Sequence, residues 1–327
     1  MLNFPSIQIE AKYNPSAAFE HSGEELNLQE TKKTGQLRFF EGLLSPAISI
    51  VATIQDVFEN PDYESLPLQF DAREKWSNCE SLKKPAMNQG ACGCCYAVSA
   101  TSVISDRICI HSNQTKQVEI SVQDAISCVP EHVQGVSSGC QGGYSSEVFQ
   151  FWIAEGIVSG GSYGSGKGCL PFSHHTNCGG PCPYTFYKHP TLACTKTCQS
   201  GYDIPYNDDK HYGDRFYSVT RWQDVEEGTA EKNMMWEIMK RGPIVAFMTV
   251  HEDFLHYSSG VYNHLAGDRV YNHAIKVIGW GEENGVPYWI LANSWGTGWG
   301  ENGFGRILRG SNEMEIEVDT LAGLPRN

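Results

Sequence analysis

The pattern of apolar and polar positions changes along the chain. After Cys95, apolar residues recur every three or four positions, which predicts a helix with one buried face: Tyr96, Ala97, Ala100, Val103, Ile104 and Ile108. After residue 240 the pattern is typical of strands, with apolar runs at 273–280 and 286–295 on either side of a Glu-Glu-Asn-Gly turn signal. The sequence therefore predicts an α+β fold, helical first and strand-rich later.

The remaining segments are predicted to differ from this regular core. Residues 24–43 form a charged helical candidate, whereas residues 159–202 are rich in Gly, Pro and Ser and predict a long loop. That loop holds five cysteines, so we expect it to be tethered and functional.

The twelve cysteines are unevenly distributed, because all of them lie between residues 79 and 198. Residues 1–65 contain none, which suggests a removable pro-segment; a small N-terminal subdomain explains this composition equally well. So many cysteines favour disulfides and an oxidising, secretory route. The sequon at Asn113 is a candidate glycosylation site.

Charge and hydropathy exclude some classes of function. The formal net charge is −14, which argues against nucleic acid as a partner. No apolar run is long enough to predict a helix that spans a membrane. The N-terminus has no signal-peptide pattern although the cysteines indicate secretion, so we expect that the sequence has been trimmed there.

Candidate chemistry centres on Cys95, because the start of a helix stabilises a thiolate. His273 is the candidate base and Asn293 the group that orients it. A turn centred near Glu283 places these two directly opposite each other, whereas a centre one residue later shifts the pairing by two positions. Gln89 is a candidate donor to a developing oxyanion, beside the backbone N–H of Cys95.

Four blocks of sequence resemble the papain-like cysteine peptidases (family C1), and they occur in that family's order. They are QGACGCCYAVS (89–99), SGCQGGY (138–144), NHAIKVIGWG (272–281) and ILANSWGTGWGENGFGRI (290–307). LPLQFDAREKWSNC (66–79), GCLPFS, DKHYG and LAGLPRN are similar to the cathepsin B-like branch, and this resemblance covers residues 66–327.

The resemblance implies a papain-like fold, with a helical left domain, a β-barrel right domain and the active site in the cleft between them. Residues 1–65 would be the propeptide, 66–327 the peptidase domain, and about 169–198 a modified occluding loop. Cys95 would be the nucleophile, His273 the base, Asn293 its orienting partner and Gln89 the oxyanion donor. Trp295 would shield the His273–Asn293 pair from water.

The resemblance also assigns substrate contacts and disulfides. Gly142 and Gly143 would bind the substrate backbone as an edge strand, with Ala274, Phe247 and Asp319 among the other substrate-binding residues. The implied disulfides are Cys79–Cys109, Cys92–Cys140, Cys128–Cys194, Cys169–Cys198 and Cys178–Cys182, which leaves Cys94 unpaired. A zinc site formed by cysteines 178, 182, 194 and 198 is the alternative, although its spacing differs from the usual pattern.

Several positions depart from the family pattern. Cys94 stands where Ser is usual, Tyr96 replaces Trp, and Tyr271 and Asn272 precede the histidine where the branch has two glycines. The position before Gln89 is Asn88 instead of Asp, which removes an expected salt bridge to the occluding loop.

Two regions that set specificity also differ. His174 and His175 precede Cys178, whereas the branch has its histidine pair after the equivalent cysteine, which leaves exopeptidase activity uncertain. Asp319 aligns with the acid that accepts a basic P2 residue. A slip of two positions along an expected strand would exchange Asp319 with Glu317 or Glu315.

The leading hypothesis is a cathepsin B-like cysteine endopeptidase made as a zymogen, without cofactor or metal. Its partners would be peptide and protein substrates, its own propeptide as inhibitor, and cystatin-type inhibitors, in a lysosomal, vacuolar or secreted location. One alternative is a catalytically weak homologue that binds extracellular partners through the same cleft. The other, a disulfide-rich structural or metal-binding protein, does not explain four blocks in order.

Overall fold

The computed structural model describes residues 12–13, 52–53, 62–133, 135, 137–176, 180–182 and 192–326. Within these residues the α-helices are α1 (Ala72–Lys75), α2 (Cys95–His111), α3 (Val122–His132), α4 (Ser145–Ala154), α5 (Trp222–Glu226), α6 (Ala230–Arg241) and α7 (Glu252–Leu255). The longer helices of the first half, α2 to α4, pack against one another and form the predicted helical part.

The strands fall into the later half, apart from three short ones near the N-terminus. They are β1 (Lys12–Tyr13), β2 (Ala52–Thr53), β3 (Phe70–Asp71), β4 (Gly213–Thr220), β5 (Ile244–His251), β6 (Tyr257–Ser259), β7 (Val261–Tyr262), β8 (Arg269–Glu283), β9 (Val286–Ala292), β10 (Phe304–Leu308) and β11 (Thr320–Pro325). Nine of them form one sheet in the order β2-β4-β11-β5-β8-β9-β10-β7, with β3 also paired to β8, and β1 pairs with β6. The predicted α+β class is confirmed.

Helix α2 begins at Cys95, as its apolar spacing predicted, but it is buried on almost every face. It packs against β8 and β11 as well as against α4, so it lies between the helical part and the sheet. Two fully buried ion pairs fix it there: Arg107 with Glu237 of α6 (2.8 Å), and Asp106 with Lys276 of β8 (2.7 Å). The apolar spacing of the helix alone could not predict these ion pairs, because each joins segments that are distant in the chain.

The predicted hairpin forms, but with the later of the two turn positions. Asn284 and Gly285 both have positive φ (54° and 82°), and Glu283 pairs with Val286 across the turn. This register does not place His273 opposite Asn293, because Ala292, the last residue of β9, already pairs with Lys276. The side chain of Asn293, extending from beyond the end of the strand, brings the two together.

The long loop of residues 159–202 is confirmed where it is described, since no helix or strand is assigned there. Disulfides tether it at Cys169–Cys198 and at Cys128–Cys194. Two further bridges, Cys79–Cys109 and Cys92–Cys140, join segments of the helical part. These four are pairs that the resemblance implies. Cys182 is also disulfide-bonded, and its predicted partner, residue 178, lies outside the described residues.

The N-terminal region contributes two short strands. β1 pairs antiparallel with β6, and β2 pairs parallel with β4 at the end of the large sheet. The helix predicted for residues 24–43 lies outside the described residues. Among the described residues, no helix combines the length and apolar composition needed to cross a membrane.

Candidate active site

The side chain of Cys95 lies where the start of α2 meets strand β8. The first helical hydrogen bonds are made by the amides of Ala97 and Val98, which both donate to the carbonyl of Cys94. The amides of Cys95 and Tyr96 are therefore not used inside the helix, as is general for the first turn. Partial positive charge at this end of the helix favours a thiolate.

His273 and Asn293 form a buried pair beside Cys95. The Nε2 of His273 lies 2.9 Å from the Oδ1 of Asn293, and the two side chains are 2% and 0% exposed. Since the amide oxygen can only accept, Nε2 carries the hydrogen, and Nδ1 is the nitrogen left to exchange a proton. The ring of Trp295, itself buried, lies 4.7 Å from the ring of His273 and covers the pair.

Burial favours the neutral forms of both reactive groups. It lowers the pKa of the His273 imidazole to about 4, against an upward contribution from the hydrogen bond with Asn293. It raises the pKa of the Cys95 thiol, against hydrogen bonds from the backbone of Ala274, Tyr96 and Cys95 itself. The contact with Ala274 places the sulfur beside the residue that follows His273. The partly buried thiol of Cys95 and the buried imidazole of His273 therefore lie close together along the chain of β8.

Gln89 is held by a residue that sequence reasoning did not single out. The hydroxyl of Ser294 donates to Oε1 of Gln89 (2.6 Å), and the Gln89 amide nitrogen Nε2 donates to the carbonyl of Cys92 (2.9 Å). The two backbones are also joined, by Gln89 N–H to Ser294 oxygen at 2.9 Å. Ser294 thereby fixes the orientation of the Gln89 amide, with its oxygen toward Ser294 and its nitrogen toward the Cys92 carbonyl. Its position directly after Asn293 was the only signal in the sequence.

The glycines of the SGCQGGY block lie next to this site. The Cys92–Cys140 disulfide and a hydrogen bond from Gly93 N–H to the Cys140 carbonyl (2.9 Å) hold the block against the segment before Cys95. Gly142 has a φ of 109° and open space where a Cβ would be, so its backbone is accessible. A side chain at Gly143 would instead collide with Ser137.

Three predicted substrate-binding residues come together across the sheet. Phe247 of β5 pairs with Ala274 of β8, and the Phe247 N–H donates to the carbonyl of Asp319 (3.2 Å). Burial raises the pKa of the half-buried Asp319 carboxyl; Arg221 opposes this shift and Glu315 adds to it.

The expected strand through residues 315–319 is wrong. Residues Glu313–Glu315 form a short 3-10 helix, and β11 begins only at Thr320. Glu317 turns inward and accepts hydrogen bonds from Trp289 Nε1 and from the backbone of Gly310 and Asn312. It is therefore structural, and Asp319 and Glu315 are the two acids that could face a substrate.

Comparison with known proteins identifies the family. The family model for papain family cysteine proteases matches residues 66–324. The chain belongs to this family. It is 47% identical over 264 residues to cathepsin B-like cysteine proteinase 3 of Caenorhabditis elegans, covering 80% of this chain and 67% of that one. It is also 43% identical over 265 residues to a cathepsin B-like cysteine proteinase of Schistosoma japonicum, covering 79% of this chain and 73% of that one.

A solved structure of a proenzyme is similar to this chain in fold as well as in sequence. ProCathepsin B S9 from Trypanosoma congolense superposes with a TM-score of 0.67 at 35% identity, covering 82% of this chain and 81% of that one. The chain is thus a cathepsin B-like cysteine peptidase made as a zymogen.

The substitutions at the papain-family signature are accommodated by burial. Cys94 is fully buried, and burial, with a further contribution from Cys95, raises the pKa of its thiol well above the usual range. Tyr96 is 1% exposed and donates its hydroxyl to the Gly139 carbonyl (3.1 Å). Neither group is placed to compete with Cys95 for substrate.

The occluding-loop histidines are both engaged elsewhere. His174 is 7% exposed, packs on Phe172, and has Nε2 3.5 Å from the sulfur of Cys140. His175 Nε2 lies 3.1 Å from the hydroxyl of Tyr163. The lost salt bridge at Asn88 is replaced by an amide contact, since Nδ2 of Asn88 donates to the Thr176 carbonyl (3.4 Å).

The structure excludes the alternative zinc site that includes Cys194 and Cys198. Cys194 and Cys198 are each in a disulfide, with Cys128 and Cys169 respectively, so their sulfurs are not available as thiolate ligands.

Proposed function

We propose that Cys95, His273, Asn293 and Gln89 carry out peptide-bond hydrolysis in this zymogen-derived peptidase. The single observation that carries the proposal is the buried His273–Asn293 hydrogen bond beside the backbone that contacts the Cys95 sulfur. It supplies a nucleophile, a base and an orienting group in one place, which is the requirement for covalent acyl transfer.

The reaction follows from these positions. The Cys95 sulfur attacks the carbonyl carbon as its proton passes to Nδ1 of His273, and the oxyanion accepts N–H donors from Gln89 and the Cys95 backbone. The tetrahedral intermediate collapses when His273 returns the proton to the leaving amine, which leaves a thioester on Cys95. Water then attacks the thioester, gives a proton to His273, and releases the acid and the thiol.

We further propose that cleavage is internal to the substrate chain. A carboxypeptidase needs a cation or donor for the substrate's terminal carboxylate. Within the described residues, His174 is buried against Cys140 and His175 contacts Tyr163, so neither offers a free imidazole to the cleft. A peptide with an amidated C-terminus should therefore be cleaved at a rate within about threefold of the free acid, whereas dipeptidyl release would strongly prefer the free acid.

We also propose that the pro-segment ends near Leu66. The flanking residues 64–65 and 67–69 are exposed, with Leu68 at 85%, which supports access for a processing peptidase. Asn113 is exposed and so accessible for glycosylation. The disulfides suit the secretory pathway, and we place the mature enzyme in a lysosomal, vacuolar or secreted location with cystatin-type proteins as inhibitors.

Active-site labelling tests the assignment. The protein is activated at acid pH, treated with E-64, an epoxide that alkylates cysteine-peptidase thiols, and mapped by peptide mass spectrometry. We expect one adduct, on Cys95, which is absent in Cys95→Ala and retained in Cys94→Ser. No adduct after verified removal of the pro-segment would favour a binding protein without catalysis, and an adduct on Cys94 would move the nucleophile by one residue.

A further inference from the structure

Strand β8 contains a bulge shortly before His273. Strand β5 pairs with it residue for residue as far back as Tyr271, but the next residue of β5 pairs with Arg269. Val270 is therefore an extra residue in β8. A bulge interrupts the alternation of side chains between the two faces of a strand, and bulges are frequent beside active sites, where they re-aim a side chain.

The bulge brings Arg269 and Asn272 to the same side of β8. Residues three apart in a regular strand point to opposite faces, yet Nη2 of Arg269 donates a hydrogen bond to Oδ1 of Asn272 (2.8 Å). The guanidinium therefore lies next to the residue that directly precedes His273, the proposed base.

Asn272 lies on the face of the sheet that is turned toward the helical part. Ala274, two residues later in β8 and so on the same face, is buried (4% exposed) in the core that includes helices α2 to α4. Asn272 itself is exposed. This face therefore opens to solvent at Asn272, and the guanidinium of Arg269 lies at the opening.

The guanidinium has no acidic partner among the described residues. Arg269 is exposed, and the contact with Asn272 is the one hydrogen bond that these residues provide for its side chain. Other arginines in this part of the chain form ion pairs with carboxylates: Arg73, Arg107, Arg215, Arg241, Arg306 and Arg309. A guanidinium has five N–H donors, so Arg269 retains donors for the carboxylate of a ligand.

The guanidinium lies on the leaving-group side of the proposed cleavage point. In the proposed reaction the P2 residue lies over Phe247 and Ala274, and the bond is cut beside His273. Asn272 lies on the other side of His273 along β8. The substrate residue that follows the cut bond, P1′, is therefore the one that comes next to Asn272 and Arg269.

We propose that Arg269 is a specificity-determining residue that binds the carboxylate of an acidic side chain at P1′. The proposal rests on the peptide-bond hydrolysis proposed above and names a substrate class for it: peptides with Asp or Glu after the cleaved bond. Asn272 is the positioning residue. Its amide oxygen holds the guanidinium without neutralising the charge, whereas a carboxylate in its place would compete with the substrate.

Kinetics on the acid-activated enzyme test the proposal. Four peptides differ only at P1′, which is Glu, Gln, Asp or Asn, and both ends are blocked so that only this side chain changes the charge. Values of kcat/KM are measured at about pH 6 and low salt, where the acids are charged and screening is weak. We expect each acid to be preferred over its amide by about fivefold.

Variants of both residues in the contact separate charge from shape. Arg269→Gln should lower the ratio of acid to amide to about one, and Arg269→Lys should keep part of the preference. Asn272→Asp leaves Arg269 in place but gives it an internal counter-charge, so it should also lower the ratio toward one. Arg215→Gln is the matched control: it removes another exposed arginine of a strand, with the same change in net charge, and should keep the parent's ratio.

The outcomes distinguish this proposal from the proposed hydrolysis. Cleavage with a ratio near one in the parent, or with the parent's ratio in Arg269→Gln, would overturn the role of Arg269 alone. A preference for the Gln peptide with a free C-terminus over its blocked form would assign the guanidinium to the terminal carboxylate and also overturn it. If no peptide is cleaved, hydrolysis fails instead; the peptides then stay intact, and dissociation constants from calorimetry give the ratio of acid to amide under the same criterion.

Discussion

Individual side chains in this site are fixed by neighbours that do no chemistry. Ser294 is the clearest case, since its hydroxyl holds Oε1 of Gln89 and its amide donates to Oδ1 of Asn293 (2.7 Å). It therefore contacts both the proposed oxyanion donor and the residue that orients His273. A positioning residue of this kind affects the rate through geometry, because a donor must point to where the oxyanion forms.

Removal of the Ser294 hydroxyl should lower kcat more than it changes KM. We expect a loss of about tenfold in kcat/KM for Ser294→Ala, compared with about 10²- to 10³-fold for Gln89→Ala, because the alanine at 294 only frees the amide to rotate. Steady-state kinetics on one peptide substrate give both values. In the double variant the Ser294 effect should vanish; an unchanged tenfold effect there would mean that Ser294 acts elsewhere.

The sequence indicated the residues that we propose as reactive far better than the residues that support them. Cys95, His273 and Asn293 could be found because residue type and motif order mark them. Ser294 could not, since a serine has no distinctive chemistry until its partner is known. The ion pair between Asp106 and Lys276 was missed for the same reason. In the sequence each is only a charged residue within an apolar helix or strand, and the two meet only in the tertiary fold.

The elements around Phe247, Ala274 and Asp319 lie beside His273, and here the local sequence pattern was misleading. Alternating acids at 315, 317 and 319 suggested a strand, but Asn312, Met314 and Glu315 adopt positive φ and turn the chain. Similarly, the hairpin was predicted but its register was not, because adjacent turn positions differ little in propensity. The spacing of polar and apolar residues does not predict backbone bends that depend on tertiary contacts.

The acid at 319 should make P2 selectivity depend on pH. Its pKa is raised, so the carboxylate that would attract an arginine is present at neutral pH and is lost as pH falls through that raised pKa. The ratio of kcat/KM for P2 Arg against P2 Phe should fall between pH 7 and 4. In Asp319→Asn the ratio at pH 7 should be lower by about tenfold and nearly flat with pH.

Glu315→Gln is the comparison variant for Asp319→Asn. Glu315 is exposed and accepts a hydrogen bond from Thr249 (2.7 Å), so its neutralisation should change the ratio far less than that of Asp319. A larger effect at 315 than at 319 would show that Glu315 is the acid that binds the P2 residue.

The whole molecule depends on α2, which carries Cys95 at one end and two interior ion pairs further along. Arg107 donates to Glu237 and also to the backbone carbonyls of Gly242, Pro243 and Gly323, while Asp106 binds Lys276 three residues after His273. The same contacts that join the helical part to the sheet therefore hold Cys95 and His273, the proposed nucleophile and base, in a fixed relation. A buried ion pair is by itself weak evidence for stability. Loss of one partner, however, leaves a buried charge without a counter-charge, which is strongly destabilising.

Lys276→Met should therefore destabilise the full-length Cys95→Ala protein by about 3–5 kcal/mol, seen as a fall of about 5–10 °C in Tm. The cause is the Asp106 carboxylate, fully buried and left without its cation. Asp106→Leu together with Lys276→Met should recover most of the loss, because both charges are then absent. Lys83→Met, which breaks the exposed pair with Glu80, should change Tm by less than about 2 °C. If the double variant were no more stable than Lys276→Met, lost packing instead of a stranded charge would explain the effect.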